Sequence, residues 1–341
     1  MNNERANKNL NKVFLPIILL AVVFITAVAF GQQITNFIAD FGTDRAFGNI
    51  KPATIADLKV NQPTVHEGTG LKTVDFGKAV KVAQLKDRQI IQSEEASLAA
   101  SLGFTEKPKE TKGPGLEQGQ TWQSGKKILE INPKQGRITY TDFEPVGEKK
   151  VNSAGEAKKI AKDFLEKSGL IADLNVSESA PVRIEGSLVS ETSENSNGFE
   201  AIFTKNFESY KIINPNFQGY ARVIVGGDAS IKRLIYAAPA EISKIGYYPV
   251  KGRNLAMKLL SAGQTKMYKI VVDGVKYSYG EISNVSDVTI NKMSLVYVDD
   301  GSNRYLEPYY QFEGEAKLTD GRKGEVGLLI NAIKDNYLES D

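Results

Sequence analysis

The stretch Ser153–Leu170, SAGEAKKIAKDFLEKSGL, governs how the rest of the chain is interpreted. Ser153 and Glu156 have the Ser-x-x-Glu spacing of a capping box, and Gly169 stands where a helix would end. Between them apolar side chains recur at i, i+3, i+4, i+7 and i+8, while charged side chains fill the opposite positions. The sequence therefore predicts an amphipathic helix that covers an apolar surface. The apolar positions are Ala157, Ile160, Ala161, Phe164 and Leu165.

A similar helix is predicted earlier, at Ser93–Phe104, SEEASLAASLGF, with an N-cap serine, two first-turn glutamates and a closing glycine. Strands follow each helix. The clearest pair is KKILEIN and RITYTDF, joined by PKQG, in which Leu129 and Ile131 share one face. A third, weaker copy begins at YYPVKGRNLAMKLLSAG. The repetition predicts one small helix-and-sheet unit used two or three times.

The predicted fold class is therefore α+β: an N-terminal transmembrane helix followed by two or three small units, each a helix packed on an antiparallel sheet. The expected boundaries are a cytoplasmic tail at 1–12, a transmembrane helix at 13–30, a stalk or extended arm at 31–78, and α+β units at 79–150, 151–245 and 246–341. Whether the third unit is a true repeat stays open, because it lacks the capping box.

The segment Val13–Phe30, VFLPIILLAVVFITAVAF, holds 18 residues without a charge, enough to cross a hydrocarbon core of about 30 Å. Arg5, Lys8 and Lys12 precede it, so the positive-inside rule predicts a cytoplasmic N-terminus and an extracytoplasmic body. The small-x-small sequence Ala27–Ala29 supports an alternative, secretion after signal cleavage near Ala29. A buried core helix is the third reading of this segment. The predicted localisation is the cell membrane, single-pass.

Composition excludes several function classes. The 43 Lys and Arg nearly balance the 41 Asp and Glu, so we expect no strong positive electrostatic potential that would attract nucleic acid. There is no cysteine, which excludes disulfides, thiolate zinc sites and cysteine nucleophiles. Stability must come from packing.

No motif predicts catalysis, a cofactor or a metal. Ser124 and Lys127 have Ser-x-x-Lys spacing, but the SDN and KTG partner motifs of penicillin-binding enzymes are missing. Asp299–Asn303, DDGSN, lacks calcium-loop spacing and reads as a hairpin turn. His66 is the only histidine and is predicted to lie in a loop. The chain is predicted not to be an enzyme, although carboxylate pairs depend on three-dimensional separation and stay open.

Aromatic side chains are the remaining candidates for a site, since they anchor protein interfaces at low entropic cost. The competing interpretation is packing within the sheets. The candidate partner-binding residues are Trp122, Tyr247, Tyr248, Tyr305, Tyr309 and Tyr310.

A helix that opens Ser-x-x-Glu-Ala, ends Gly-Leu and precedes long hairpins resembles a PepSY unit. The closing order, Tyr-Pro, helix, Gly, MSLVYVDDG, YLEPYYQFEGEA and LLINAI, is similar to the end of the YycH/YycI-type membrane-anchored regulators. The resemblance covers 93–333. It implies a short cytoplasmic tail, one membrane span and a body of PepSY-like units. The loop at 105–120 and the arm before residue 78 depart from that pattern, so the partner's identity does not follow from it.

The resemblance implies a non-enzymatic function. We expect an extracytoplasmic binding or regulatory protein that acts by protein–protein contact on an envelope sensor kinase, protease or wall enzyme, with the membrane contacted through the N-terminal helix. The alternative is a non-catalytic scaffold that binds envelope polymer or lipid. A hydrolase with carboxylate chemistry is third.

Overall fold

The computed structural model describes residues 46–339, except 56, 59–62, 73–76, 87–89, 91, 114–115, 171–172, 187, 192–194, 216–218, 273–274, 277–284 and 302–303. The predicted tail and membrane span at 1–30 lie outside the described residues. Within them, none of the helices has the length and apolar character needed to cross a bilayer.

The predicted α+β class, with its two or three small sheets, is wrong. The described part of the chain is mostly β, with 53% strand and 14% helix, and its strands form two large sheets of ten and nine strands. The three helices of the described residues lie at Gln92–Ser101 (α1), Ala154–Lys167 (α2) and Arg253–Ser261 (α3), and a short 3-10 turn spans Asp335–Tyr337.

The nine-stranded sheet is antiparallel throughout and merges two of the predicted units. The predicted hairpin forms as expected, and its second strand then pairs with a strand from the following unit, Leu234 opposite Tyr140. The chain therefore builds one broad sheet where two were expected. In spatial order the strands are β3 (Lys109–Gly113), β4 (Leu116–Ser124), β5 (Lys127–Asn132), β6 (Arg137–Asp142), β13 (Ile231–Ala237), β12 (Ala221–Gly226), β9 (Gly198–Thr204), β7 (Asn175–Glu185) and β8 (Leu188–Glu191).

Helices α1 and α2 share one hydrophobic core on this sheet. Ala157, Ala161 and Leu165 of α2 are fully buried, as their spacing predicts, and join Leu98 of α1 in that core. The predicted caps also form: Ser153 Oγ accepts the N–H of Glu156 at 3.2 Å, and Gly169 ends the helix at φ +71°. The two similar helices thus cover one continuous sheet.

The ten-stranded sheet combines strands from both ends of the chain. The strand at 79–85, predicted to begin the first unit, pairs here with two strands from the C-terminal part of the chain. The helix α3 packs on one face through Ala256 and Leu260. The strands are β10 (Asn206–Phe207), β11 (Tyr210–Ile213), β17 (Val285–Val298), β18 (Tyr305–Leu318), β19 (Lys323–Asn331), β15 (Lys266–Val272) and β16 (Val275–Lys276), with β1 (Thr64–Lys72) beside β17 and β2 (Ala79–Leu85) between β14 (Ile242–Pro249) and the start of β18.

The first described part of the predicted stalk, residues 46–55 and 57–58, which we call the arm, is built into the body. Ile50 is fully buried and forms a parallel backbone bridge with Leu338 near the C-terminus. Ala53 and Ile55 cover the second face of the ten-stranded sheet, opposite α3. After the arm, β1 runs parallel to β17. The N-terminal segment therefore closes a sheet made mainly of C-terminal strands.

Glu95, in the first turn of α1, is buried, and neither of its carboxylate oxygens has a hydrogen-bond partner. Burial raises the pKa of this carboxyl above its ordinary value. The pKa of Glu95 is higher in the folded state than in the unfolded state. Its effect on the free energy of unfolding is therefore most favourable below the unfolded-state pKa and becomes less favourable as the pH rises through the folded-state pKa. We expect Glu95→Gln to raise the free energy of unfolding by about 1 kcal/mol at neutral pH and to have little effect near pH 3, measured by urea denaturation. An equal gain at both pH values would contradict the explanation from ionisation.

Candidate functional site

Four of the six candidate aromatics are buried. Tyr248 is 0% exposed, Tyr310 2%, and Trp122 and Tyr309 3% each. Tyr310 lies on the α3 face of its sheet and donates its hydroxyl hydrogen to the Lys251 carbonyl at 2.5 Å. These side chains fill the core and offer no surface to a partner in this fold.

Tyr248 and Tyr305 hold the arm. The ring of Phe47 stacks on Tyr248 with centroids 6.3 Å apart and lies 5.3 Å from the ring of Tyr305. The Tyr248 hydroxyl accepts the Phe47 N–H at 3.2 Å and donates to the Gly48 carbonyl at 3.1 Å. Two residues proposed from the sequence as contacts to another protein therefore bind the chain's own N-terminal segment.

Tyr247 is the candidate that faces solvent, and it lies on β14 with two exposed isoleucines. Tyr247 is 42% exposed, Ile245 39% and Ile242 43%. Ile245 and Tyr247 are two positions apart and so share a face of the strand. We call β14 and these three side chains the apolar edge.

The apolar edge pairs with a described strand on one side only. On one side β14 pairs with β2. On the other, backbone bonds from 332–334 cover only its end, where the Lys334 N–H donates to the Pro249 carbonyl at 3.1 Å. Among the described residues no strand pairs with the remaining length, 242–248. An edge strand with exposed apolar side chains is a template for another strand.

Two lysines border the apolar edge. The Lys244 ammonium lies 5.6 Å from the centroid of the Phe47 ring, and the Lys81 ammonium lies 5.9 Å from that of Tyr247. The hydrogen bond from Lys81 to Glu208 raises the pKa of this lysine, so it stays charged at neutral pH. Lys81 thus shares its charge with Glu208 on the β2 side, and Lys244 supplies the positive charge on β14 itself.

The sequence did not identify Ile242 and Ile245. The signal lies in AEISKIGYY, where apolar residues recur on a strand that also carries Tyr247. Gly246 explains the geometry: a Cβ there would lie 3.0 Å from the Phe47 ring, so this face of β14 is closed by the arm. The residues on either side of Gly246, Ile245 and Tyr247, therefore point to the other face.

The other sequence candidates lie apart from this edge. His66 is exposed on β1, with Nε2 3.6 Å from Asp287 Oδ1, and the described residues contain no His, Asp or Glu cluster suited to a metal ion. Ser124 and Lys127 face each other across an exposed hairpin turn. The two aspartates of DDGSN are buried: Asp299 accepts a hydrogen bond from Tyr220 and Asp300 one from the Thr54 N–H, each at 2.6 Å.

The apolar edge combines a backbone edge that no described strand pairs with, exposed apolar side chains and the adjacent ammonium of Lys244. Comparisons of this chain with family models, curated proteins and solved structures found no match.

Proposed function

We propose that this chain is a membrane-anchored, extracytoplasmic binding or regulatory protein that acts by contact with another envelope protein at the apolar edge. The exposed apolar side chains of β14, on a strand whose second edge no described strand occupies, carry the proposal. Strand addition to such an edge gives affinity through main-chain hydrogen bonds and specificity through alternate side chains. No catalytic step is proposed.

The edge defines the chemistry of the partner. An added strand would place apolar side chains against Ile245 and Tyr247. An acidic side chain on that strand would meet Lys244. The partner segment is therefore an extended peptide with alternating apolar residues and a carboxylate. A sensor kinase, protease or wall enzyme of the envelope, the class implied by the resemblance to YycH/YycI-type regulators, would carry it.

The predicted membrane anchor limits how far the apolar edge can lie from the bilayer. The arm lies directly against β14, since a Cβ at Gly246 would be 3.0 Å from both Ala46 and Phe47. Between the predicted span and Ala46 lie only residues 31–45, which reach about 50 Å even when fully extended. An anchored chain therefore keeps the apolar edge within reach of the extracytoplasmic parts of membrane proteins.

The test uses the full-length chain in cells. A photo-crosslinking residue at Ile245 is expected to capture a protein partner, and the same residue at Leu255, on α3 and 42% exposed, is the matched control. Adding Tyr247→Asp should reduce capture from position 245 about tenfold, because it places a charge in the apolar contact. Equal capture from both positions would contradict binding at the edge. Capture of glycan or lipid without protein would favour the scaffold alternative.

A further inference from the structure

A second feature lies where the two sheets meet. Here a pocket of about 280 Å³ opens between β7 of the nine-stranded sheet and strands β11, β15, β17 and β18 of the ten-stranded sheet. We call it the junction pocket. It lies on the sheet face that the arm covers only in part, because Ile213, Val296 and Tyr268 belong both to its lining and to the cluster beneath the arm. Its volume is close to the lower end of the range for ligand sites.

Three lysines from three different strands line the junction pocket: Lys211, Lys269 and Lys292. Glu178 lies between the first two, with its oxygens 3.8 Å from Lys211 Nζ and 4.0 Å from Lys269 Nζ. Lys292 pairs with Glu313 at 2.6 Å. Both distances from Glu178 are near the upper limit for an ion pair, so Glu178 binds Lys211 and Lys269 only weakly. The pocket carries three positive charges against two negative ones.

A chain of hydrogen bonds among the side chains that line the pocket ends at the Tyr268 hydroxyl, which can donate its own hydrogen. Ser294 Oγ donates to Gln311 Oε1 at 3.3 Å, and Gln311 Nε2 donates to the Tyr268 hydroxyl at 2.5 Å. Burial raises the pKa of Tyr268 far above its ordinary value, so the hydroxyl keeps its hydrogen. Among the described residues the structure gives that hydrogen no acceptor. Gln311 is itself 6% exposed, so this chain of hydrogen bonds is shielded from solvent.

Gly327 makes room for the tyrosine. A Cβ at this position would lie 2.7 Å from the Tyr268 ring. The ring therefore lies directly over the β19 backbone. Its hydroxyl is held at a fixed place in the lining of the junction pocket.

We propose that the junction pocket binds a phosphate group carried by a small polyol or sugar. Lysine ammonium groups bind phosphate as point charges, and a phosphate has enough oxygens to meet several of them and the Tyr268 hydroxyl at once. Glu313 would then accept hydrogen bonds from the hydroxyls of the polyol. The same chemistry occurs in a free phosphate ester and in a polymer of phosphate-linked polyols, so the experiment separates these two sources.

The experiment is calorimetric titration of the full-length protein in detergent with glycerol phosphate. Lys269→Met is expected to weaken binding at least about tenfold, as is usual when a hydrogen bond to a charged group is lost. Tyr268→Phe, which removes only the hydroxyl, should weaken it about threefold or more. The control is Lys162→Met on α2, a lysine 55% exposed and 3.5 Å from Glu166, which should change nothing.

Glu178→Gln distinguishes binding from a structural role. It removes the carboxylate that competes for Lys211 and Lys269, so glycerol phosphate should bind more tightly while the melting temperature stays the same or falls. Weaker binding to this variant, or equal losses from Lys162→Met and Lys269→Met, would overturn the proposal. Ile245→Asp at the apolar edge should leave the titration unchanged, so this proposal and the proposed function fail independently.

The ligand class and its source are tested by exchange of the probe. Succinate of similar size should bind at least about tenfold more weakly, and equal affinity would show that the pocket recognises any dianion and would overturn the phosphate assignment. Poly(glycerol phosphate) that is retained by the protein and displaced by free glycerol phosphate would identify the polymer as the source. Binding of the free ester alone would identify a small molecule. Absence of saturable binding by either probe would overturn the proposal.

Discussion

Lys251→Met is expected to lower the free energy of unfolding by about 3 kcal/mol, which urea denaturation of the full-length protein would measure. Lys251 is buried, and its ammonium donates to the carbonyls of Asn331 at 3.0 Å and Ile333 at 2.6 Å. Methionine fills similar space but leaves both carbonyls without this donor. The cost is that of unsatisfied buried acceptors as well as a lost charge contact.

Asp335 provides the control for that prediction. Its carboxylate is 2.8 Å from Lys251 Nζ, but its side chain is 76% exposed. Because solvent screens this pair, Asp335→Asn should cost less than about 1 kcal/mol. If Asp335→Asn lowered the free energy of unfolding as much as Lys251→Met, the ion pair with Asp335, and not the hydrogen bonds to the two carbonyls, would account for the stabilising effect of Lys251.

Ile50→Ala is expected to lower the free energy of unfolding by about 3 kcal/mol, the usual cost of a cavity in a core that cannot collapse. Ile50 is 0% exposed and packs in one cluster with Val82, Tyr248 and Ile333. The backbone N–H of Ile50 donates to the Tyr337 carbonyl, and its carbonyl accepts the Glu339 N–H. Because these bonds hold the backbone in place, the cavity left by the substitution cannot close easily.

Leu188→Ala is the matched control for Ile50→Ala, since Leu188 on β8 is 71% exposed and should cost under about 0.5 kcal/mol. Both variants are compared by the same urea midpoint and slope. A cost for Ile50→Ala no larger than for Leu188→Ala would mean that the arm contributes little to the folded body.

The sequence predicted elements whose signal is local. The capping box of Ser153 and the stripe through Leu165 specify α2 within one stretch, and the hairpin at 127–142 is specified by its own alternation and turn. The pairing of β6 with β13 joins residues far apart in the chain, and nothing in RITYTD indicates that partner. The α+β prediction was wrong because alternation shows that a segment is a strand but does not show in which sheet it lies.

The site could be predicted only in part for a related reason. Tyr247 and Tyr248 are neighbours, so a strand must place them on opposite faces. Which face is buried depends on Phe47, from the arm, packing over Gly246. The sequence therefore indicated both tyrosines but could not tell the one that faces solvent from the one that contacts the arm.

The arm also has a consequence for how the chain acquires its structure. Thr64 pairs with Asp287, and Ile50 pairs with Leu338. These contacts of the N-terminal segment can therefore form only after residues near the C-terminus have been made. Contacts of such high sequence separation slow folding, since the loop must close before they form. The ten-stranded sheet thus cannot be completed while the chain is still being synthesised. Until then the edge of β17 that β1 will occupy is open, and this interval is when the protein is most exposed to aggregation.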